Sequence, residues 1–388
     1  MTAAFARRAR ALDRLTAALR GERGVLPDDS HGPDGPEGWS DLLALAAAHE
    51  LLPALWVRQR DAGELTMPAA LAATLEREAP AGRAVPEAVV RRAYDRQADR
   101  SQRMLEHGVD VLDRMAAAEI RAVPLKGLHA LLAGWWRDPA MRTMADLDVL
   151  VDAADAPRAY ALLLAAGYEE HPEPIGEHAD HHLPMLGDGD VTVELHVEPL
   201  VSRWRGLVPA EQMLARALQR QTAPAAHGAR LLADDTDTFV HLVAHAQLQE
   251  ETYTLLGLPL RALFETAQLA DVDIHVDIRW PEVRARFERA SVGHVLDAHL
   301  DATRRWFDAS TLPAPSPSGA RRAALHTRLV ELGVAEPRGV DAWTYAVRVP
   351  RSFTASRMHA EFGPGEGGTW LWRGRGPPPA RRPHQRGP

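Results

Sequence analysis

Cysteine is absent from this chain of 388 residues. That excludes disulfides, thiolate zinc sites and a cysteine nucleophile. Lysine is almost absent too: of the 45 Lys and Arg residues only Lys126 is a lysine. Excess positive charge is also lacking. The formal net charge is −8, so no global basic field draws in nucleic acid or an anionic membrane, although a local basic cleft is compatible with it. No apolar run approaches the ~20 residues that span a bilayer. The N-terminus, MTAAFARRARALDRLTAALR, carries arginines but no continuous apolar stretch of signal-peptide type. The expected location is therefore cytoplasmic. No internal repeat is visible.

What is present is an ordinary globular composition, 46% hydrophobic and 25% charged, with length for more than one domain. Residues 1–110 read as a helical N-terminal region, because DLLALAAAHELLPALW and AYDRQADRSQRMLEHGVDVLDRMAAAEI space their apolar residues by three and four. The loop PDDSHGPDGPEG interrupts them. The pattern changes near Ile120, and residues 111–200 read as a strand-containing core. IRAVPL is strand-like, and a helix opens at Gly127 and runs through Ala133. In MADLDVLVD, Leu147, Val149 and Val151 alternate with Asp146 and Asp148. ADAPRAYALLLAAGY is a helix that Gly167 can end. HHLPML and VTVELHV are strands joined by GDGD, a hairpin signal. Residues 201–335 read as a second helical region, 336–362 as a short accessory segment and 363–388 as a disordered basic Gly/Pro tail. The expected fold class is α+β, a small mixed sheet flanked by helical regions at both ends.

The chemistry concentrates in the core. Asp146 and Asp148 leave the same face of a predicted strand. Two carboxylates held together repel unless a cation lies between them. Mg²⁺ takes oxygen ligands, and a pair of such ions can activate an attacking hydroxyl and balance a leaving pyrophosphate. A third carboxylate usually completes such a site, and Glu194, on VTVELHV with Thr192 and His196 on the same face, is the candidate. Asp-x-Asp alone is weak, because it recurs at 188/190, 235/237 and 271/273. Asp188 and Asp190 fit a hairpin turn, and Asp235 and Asp237 fit a helix start. Asp271, Asp273, His275 and Asp277 alternate with apolar residues and form the serious decoy. What sets 146/148 apart is the upstream turn Lys126-Gly127. A glycine at a helix start allows close approach of a phosphate, and Lys126 adds a point cation. In isolation that pair would be an exposed lysine beside a turn. Arg142 either contacts phosphate or pairs with Asp146 or Asp138.

Taken together, LKG (125–127), DP (138–139), Arg142, DLDVLV (146–151), GY (167–168), His182 and VELH (193–196) resemble the bacterial family of uncharacterised nucleotidyltransferases, of the DNA polymerase beta-type superfamily. The likeness spans roughly residues 100–300, reaching through His241, His245, LPLRALFE and DIRW. It implies transfer of a nucleoside monophosphate from a nucleoside triphosphate, ATP among them, to an acceptor hydroxyl. It assigns Asp146, Asp148 and Glu194 to catalysis and metal binding, Lys126 and Gly127 to the nucleotide phosphates, and two Mg²⁺ ions, with Mn²⁺ an alternative. The chain departs from the superfamily in its Lys-Gly turn, in Ala145 and in Val197. The acidic charge favours a small-molecule, peptide or protein acceptor over nucleic acid.

Two other readings stand beside it. The stretch EHADHH and VELH supply His178, His181, His182 and His196, the makings of a His/carboxylate metallohydrolase. A catalytically inactive descendant of the fold acting as an interaction partner is the third. His196 has two further roles open, bonding a metal ligand or approaching the acceptor. His241 and His245, one helical turn apart, either pack in the core or line the acceptor side, with core packing the commoner arrangement.

Overall fold

Apolar residues at helical spacing fold the first part of the chain into α1 (Ala3–Arg20), α2 (Gly35–Ala48), α3 (Leu52–Asp61) and the long α4 (Pro86–Ala117). The computed structural model describes residues 3–27, 35–65, 86–170, 180–219, 231–270, 274 and 276–335. The strand-bearing part follows: β1 (Ala122–Pro124), α5 (Lys126–Leu132), β2 (Leu147–Val151), α6 (Ala156–Ala165), β3 (Glu169–Glu170), β4 (Leu186–Asp188) and β5 (Val191–His196). Helices then return as α7 (Ala210–Gln219), α8 (Asp235–Ala244), α9 (Leu260–Leu269), α10 (Trp280–Arg289), α11 (Gly293–Phe307) and α12 (Ala320–Ala335). The protein is thus a mixed α+β fold with helices at both ends. The predicted accessory segment, the basic tail, His178 and the Asp271, Asp273, His275 decoy lie outside the described residues. Among the described residues no single helix is long and apolar enough to cross a membrane; one pair, Gly38–Ala48 with Leu52–Asp61, passes that test together but is bent by 118°.

The sheet has the order β1-β2-β5-β4-β3. β1 runs antiparallel to β2, β2 parallel to β5, and β4 antiparallel to both β5 and β3. The parallel pair sets the register that matters, placing Asp148 opposite Glu194 and Leu150 opposite His196. β2 is buried along its whole length. That explains why its apolar residues do not simply alternate and why Leu150 shares a face with Asp148.

The GDGD hairpin forms as expected, with Asp188 paired to Val191 across a Gly189-Asp190 turn. Gly189 has φ +63°, a conformation that favours glycine. HHLPML differs from a simple strand. Only Leu186 belongs to β4; the earlier part meets β5 through an isolated His182–His196 bridge and the Leu183 N–H to Leu195 carbonyl bond of 2.8 Å. Pro184 has no N–H to give to a ladder, which breaks the strand there. β3, two exposed residues long, has no pattern to foretell it.

Two of the competing Asp-x-Asp pairs, 188/190 and 235/237, have structural partners. Asp190 pairs with Arg103 at 2.8 Å. Asp237 pairs with Arg286 at 2.6 Å and Arg216 at 3.1 Å. Asp235 accepts the Asp277 N–H at 2.8 Å. The helix start there is capped by Asp234, which accepts the Thr236 N–H.

Candidate active site

Asp148 is the second residue of β2 and is 2% exposed. A carboxylate so buried is costly unless cations or hydrogen bonds reach it. Two do, at the same oxygen. Lys126 Nζ and His196 Nε2 each lie 2.8 Å from Asp148 Oδ1. His196 Nε2 is also 3.4 Å from Glu194 Oε2. Burial alone would raise the Asp148 pKa, but Lys126 and the His196 hydrogen bond outweigh it and hold it well below the usual carboxylate range. Glu194 is likewise lowered against the effect of its burial, chiefly by His196. Burial opposes the charge on Lys126, yet Asp148, Asp146 and Glu194 together raise its pKa, so it stays a cation.

One donor atom each from Asp148, Glu194 and His196 lies within 4.8 Å of the others. Two carboxylate oxygens and an imidazole nitrogen on adjacent strands suit a divalent cation. The buried carboxylate needs positive charge, so these residues fit such an ion. Asp146 is not in that group. It is partly exposed, just ahead of β2, and within electrostatic reach of Lys126 and Arg261. His181 and His182 do not join the group either, although their rings lie 5.3 and 5.6 Å from that of His196.

The segment before Asp146 is held by residues that the local sequence pattern does not reveal. Arg100, from α4, donates to the Met144 carbonyl at 3.1 Å and the Ala145 carbonyl at 2.9 Å. Thr192 Oγ1 donates to the Ala145 carbonyl at 3.3 Å. Arg142 is buried and pairs with Glu265 of α9 at 2.9 Å. Glu265 also lies 3.7 Å from Arg261, which in turn pairs with Glu50. Asp138, the partner considered for Arg142, instead accepts from Tyr94 and from the Ala140 N–H.

The Lys-Gly turn divides its duties in an unexpected way. The left-handed backbone falls on Lys126, at φ +45°, not on the glycine. Such a conformation in a side-chain-bearing residue is strained by about 1–3 kcal/mol. Gly127 is required for space: a Cβ there would lie 2.4 Å from Met144 Cγ and 2.6 Å from its Sδ. Gly127→Ala is expected to lower stability by about 1–3 kcal/mol through overpacking, read as a reduced urea midpoint at unchanged slope.

A pH effect follows from the same cluster. Burial opposes the charge on His196, but hydrogen bonds to Asp148 and Glu194 raise its pKa above the ordinary value. A raised folded pKa contributes stability that is complete below about pH 6.5 and is lost as pH rises through the folded value. The depressed Asp148 contributes above about pH 3.9 and loses its share as pH falls through its folded value. In metal-free protein the stability gap between wild type and His196→Gln should therefore be widest between those limits and narrow at alkaline pH. Urea titrations at several pH values measure it, and a gap independent of pH would contradict the pairing.

A mixed sheet carries paired carboxylates on adjacent parallel strands, with a lysine at a helix start beside them. The chain belongs to the family of uncharacterised nucleotidyltransferases, whose model matches residues 35–308. No curated protein and no solved structure matches it. The matched span contains every residue of the centre.

Proposed function

We propose that the protein transfers a nucleoside monophosphate from a nucleoside triphosphate to an acceptor hydroxyl, at the centre built by Asp146, Asp148, Glu194 and Lys126. The observation that carries this is the register pairing of Asp148 with Glu194 on parallel strands, with Lys126 Nζ at 2.8 Å from the former. Family membership supports nucleotidyl transfer in general; the residue roles here rest on geometry and chemistry.

Asp148, Glu194 and His196 would hold a divalent cation, with Asp146 at the open side. Such an ion, Mg²⁺ or Mn²⁺, lowers the pKa of an attacking hydroxyl and balances the charge of departing pyrophosphate. Lys126 supplies a cation to the phosphates. Arg142 lies deeper, locked to Glu265, and sets the position of the loop that leads to Asp146. Arg100 holds the same loop from the other side. Nitrogen in the ligand set makes Mn²⁺ a good occupant beside Mg²⁺.

The test is incubation of purified protein with each labelled nucleoside triphosphate, divalent cation and host extract, followed by identification of the labelled product. Label transfer by the wild type and its loss in Asp146→Ala are the expected results. Asp146 is partly exposed but helps hold the charge of Lys126, so a urea midpoint measured on Asp146→Ala alongside transfer establishes that the variant is folded. Full transfer by a folded Asp146→Ala protein would refute its role.

A further inference from the structure

Asp146 stands between two differently built segments. Ahead of it, residues 143–145 belong to no helix or strand; after it, Leu147 begins β2 and its ladder. The carbonyls of Met144 and Ala145 lie outside that ladder, and backbone groups away from water need partners from elsewhere. One side chain of α4 reaches both. Arg100 Nε donates to the Met144 carbonyl at 3.1 Å and Nη2 to the Ala145 carbonyl at 2.9 Å. Its Nη1 donates to the Asp190 carbonyl, just ahead of β5, at 3.2 Å. Thr192, two residues before Glu194 on β5, is a second donor to the Ala145 carbonyl, at 3.3 Å.

Nε and Nη2 form one rigid edge of the guanidinium, and that edge meets two successive carbonyls. Each carbonyl belongs to a planar peptide unit, the first joining Met144 to Ala145 and the second joining Ala145 to Asp146. Fixing both planes fixes the backbone as far as the Asp146 Cα. The β2 ladder fixes it from the other side. Without the arginine, Asp146 is anchored firmly on one side only. Other roles for Arg100 are weaker. Its ion pair with Asp190 is 3.7 Å long and ends on a carboxylate that is 54% exposed, a contact worth little. Arg103 already meets that carboxylate at 2.8 Å. Met144 is anchored by its own buried side chain against Gly127, so what Arg100 adds is the direction of the peptide planes that follow.

We propose that Arg100 is a positioning residue for Asp146, aiming its carboxylate at the centre formed by Asp148 and Glu194. This rests on the nucleotidyl-transfer reading and adds a residue, distant in sequence, on which its rate depends. The effect falls on turnover rather than on cation binding. Asp148, Glu194 and His196, whose donor atoms converge, sit within the β2–β5 ladder, and none of the three Arg100 hydrogen bonds goes to them.

The test uses the full chain with Arg100→Lys, which keeps the charge but has no rigid edge to span two carbonyls, and Arg100→Gln, which keeps a donor without the charge. Arg103→Gln, three residues along α4, removes a contact to Asp190 and serves as the control. Label transfer from a nucleoside triphosphate into host extract gives the maximal rate and KM. Mn²⁺ binding, the urea midpoint and amide hydrogen exchange over residues 143–147 are measured on the same preparations. The maximal rate should fall about a hundredfold in both Arg100 variants, the effect of a misplacement of about 1 Å. KM for the triphosphate and Mn²⁺ affinity should stay within about twofold, the pattern of an interaction felt only in the transition state. The amides of Ala145 and Asp146 should exchange faster, a result that does not depend on turnover. Arg103→Gln should match wild type throughout. A wild-type rate in folded Arg100→Lys, unaltered exchange at Ala145 and Asp146, or a loss of Mn²⁺ affinity as large as the loss of rate would each overturn the proposal, the last because Arg100 would then support the whole centre. Wild type that transfers label from no triphosphate would instead remove the nucleotidyl-transfer reading, and this proposal with it.

Discussion

Asp148→Asn should lose at least about a thousandfold in nucleotide turnover and should also lose stability. A thousandfold corresponds to about 4 kcal/mol of transition-state stabilisation, within what a ligand to a catalytic cation can supply. The stability effect has a separate cause. The Asp148 carboxylate is 2% exposed and is shared by Lys126 and His196. Neutralising it leaves a lysine whose remaining carboxylates are farther away, and removing one partner of a buried pair costs about 3–5 kcal/mol. Lys126 is 24% exposed, so water recovers part of that, and a loss of about 2 kcal/mol is the expected value. The amide can still accept from His196, which limits the damage. Turnover and a urea midpoint measured on the same preparations separate the two effects. An Asp148→Asn protein of wild-type stability would mean that the Lys126–Asp148 contact is not maintained in solution. One of wild-type activity would place the chemistry elsewhere.

Much of this centre can be read in the sequence because its pieces are local. Asp146 and Asp148 sit two apart in an alternating run. The GDGD turn brings β4 back along β5. Lys126 is conspicuous because no other lysine exists. Glu194 was legible only as a candidate third carboxylate; the parallel register of β2 and β5 is what places it opposite Asp148. The parts that stayed hidden depend on contacts between distant segments. Nothing near Arg100 announces that it holds the carbonyls before Asp146, because a lone arginine on an amphipathic helix is ordinarily solvated. Glu265 as the partner of Arg142 requires α9 to be packed against that loop, which no local period encodes. The left-handed conformation was hidden for a different reason: in a Lys-Gly pair the glycine is the natural candidate, but packing against Met144 claims Gly127 for space and shifts the strain onto Lys126. The sequence left His196 open to bonding a neighbouring carboxylate, and its Nε2 lies 2.8 Å from Asp148 Oδ1; its place within the converging donor set depended on a register that only the folded sheet supplies.

Lys126→Met should raise cation affinity and lower turnover. In the folded protein Lys126 Nζ already occupies one side of Asp148 Oδ1, at 2.8 Å, and three acidic groups keep it charged. A divalent cation drawn to Asp148, Glu194 and His196 meets that ammonium as a competitor. Two unit charges about 4 Å apart repel by about 4 kcal/mol at an effective dielectric of 20, and a divalent ion facing an ammonium by about twice that. The exposure of Lys126 and its freedom to swing away reduce this, and a gain of roughly tenfold in Mn²⁺ affinity is expected for nucleotide-free Lys126→Met. The same substitution removes a cation from the triphosphate, and turnover should fall by at least about a hundredfold. A lysine that served only to support the fold would weaken both properties when lost. Competition for one carboxylate oxygen predicts the split. It also predicts that nucleotide strengthens Mn²⁺ binding more in wild type than in the variant, because only in wild type can phosphate draw the ammonium off Asp148. Mn²⁺ titrations followed by electron paramagnetic resonance, with and without a non-hydrolysable triphosphate, measure the affinity and its coupling to nucleotide, and turnover is assayed separately with a hydrolysable triphosphate. Mn²⁺ affinity unchanged or reduced in a folded Lys126→Met protein would show that the lysine and the cation do not contend for Asp148.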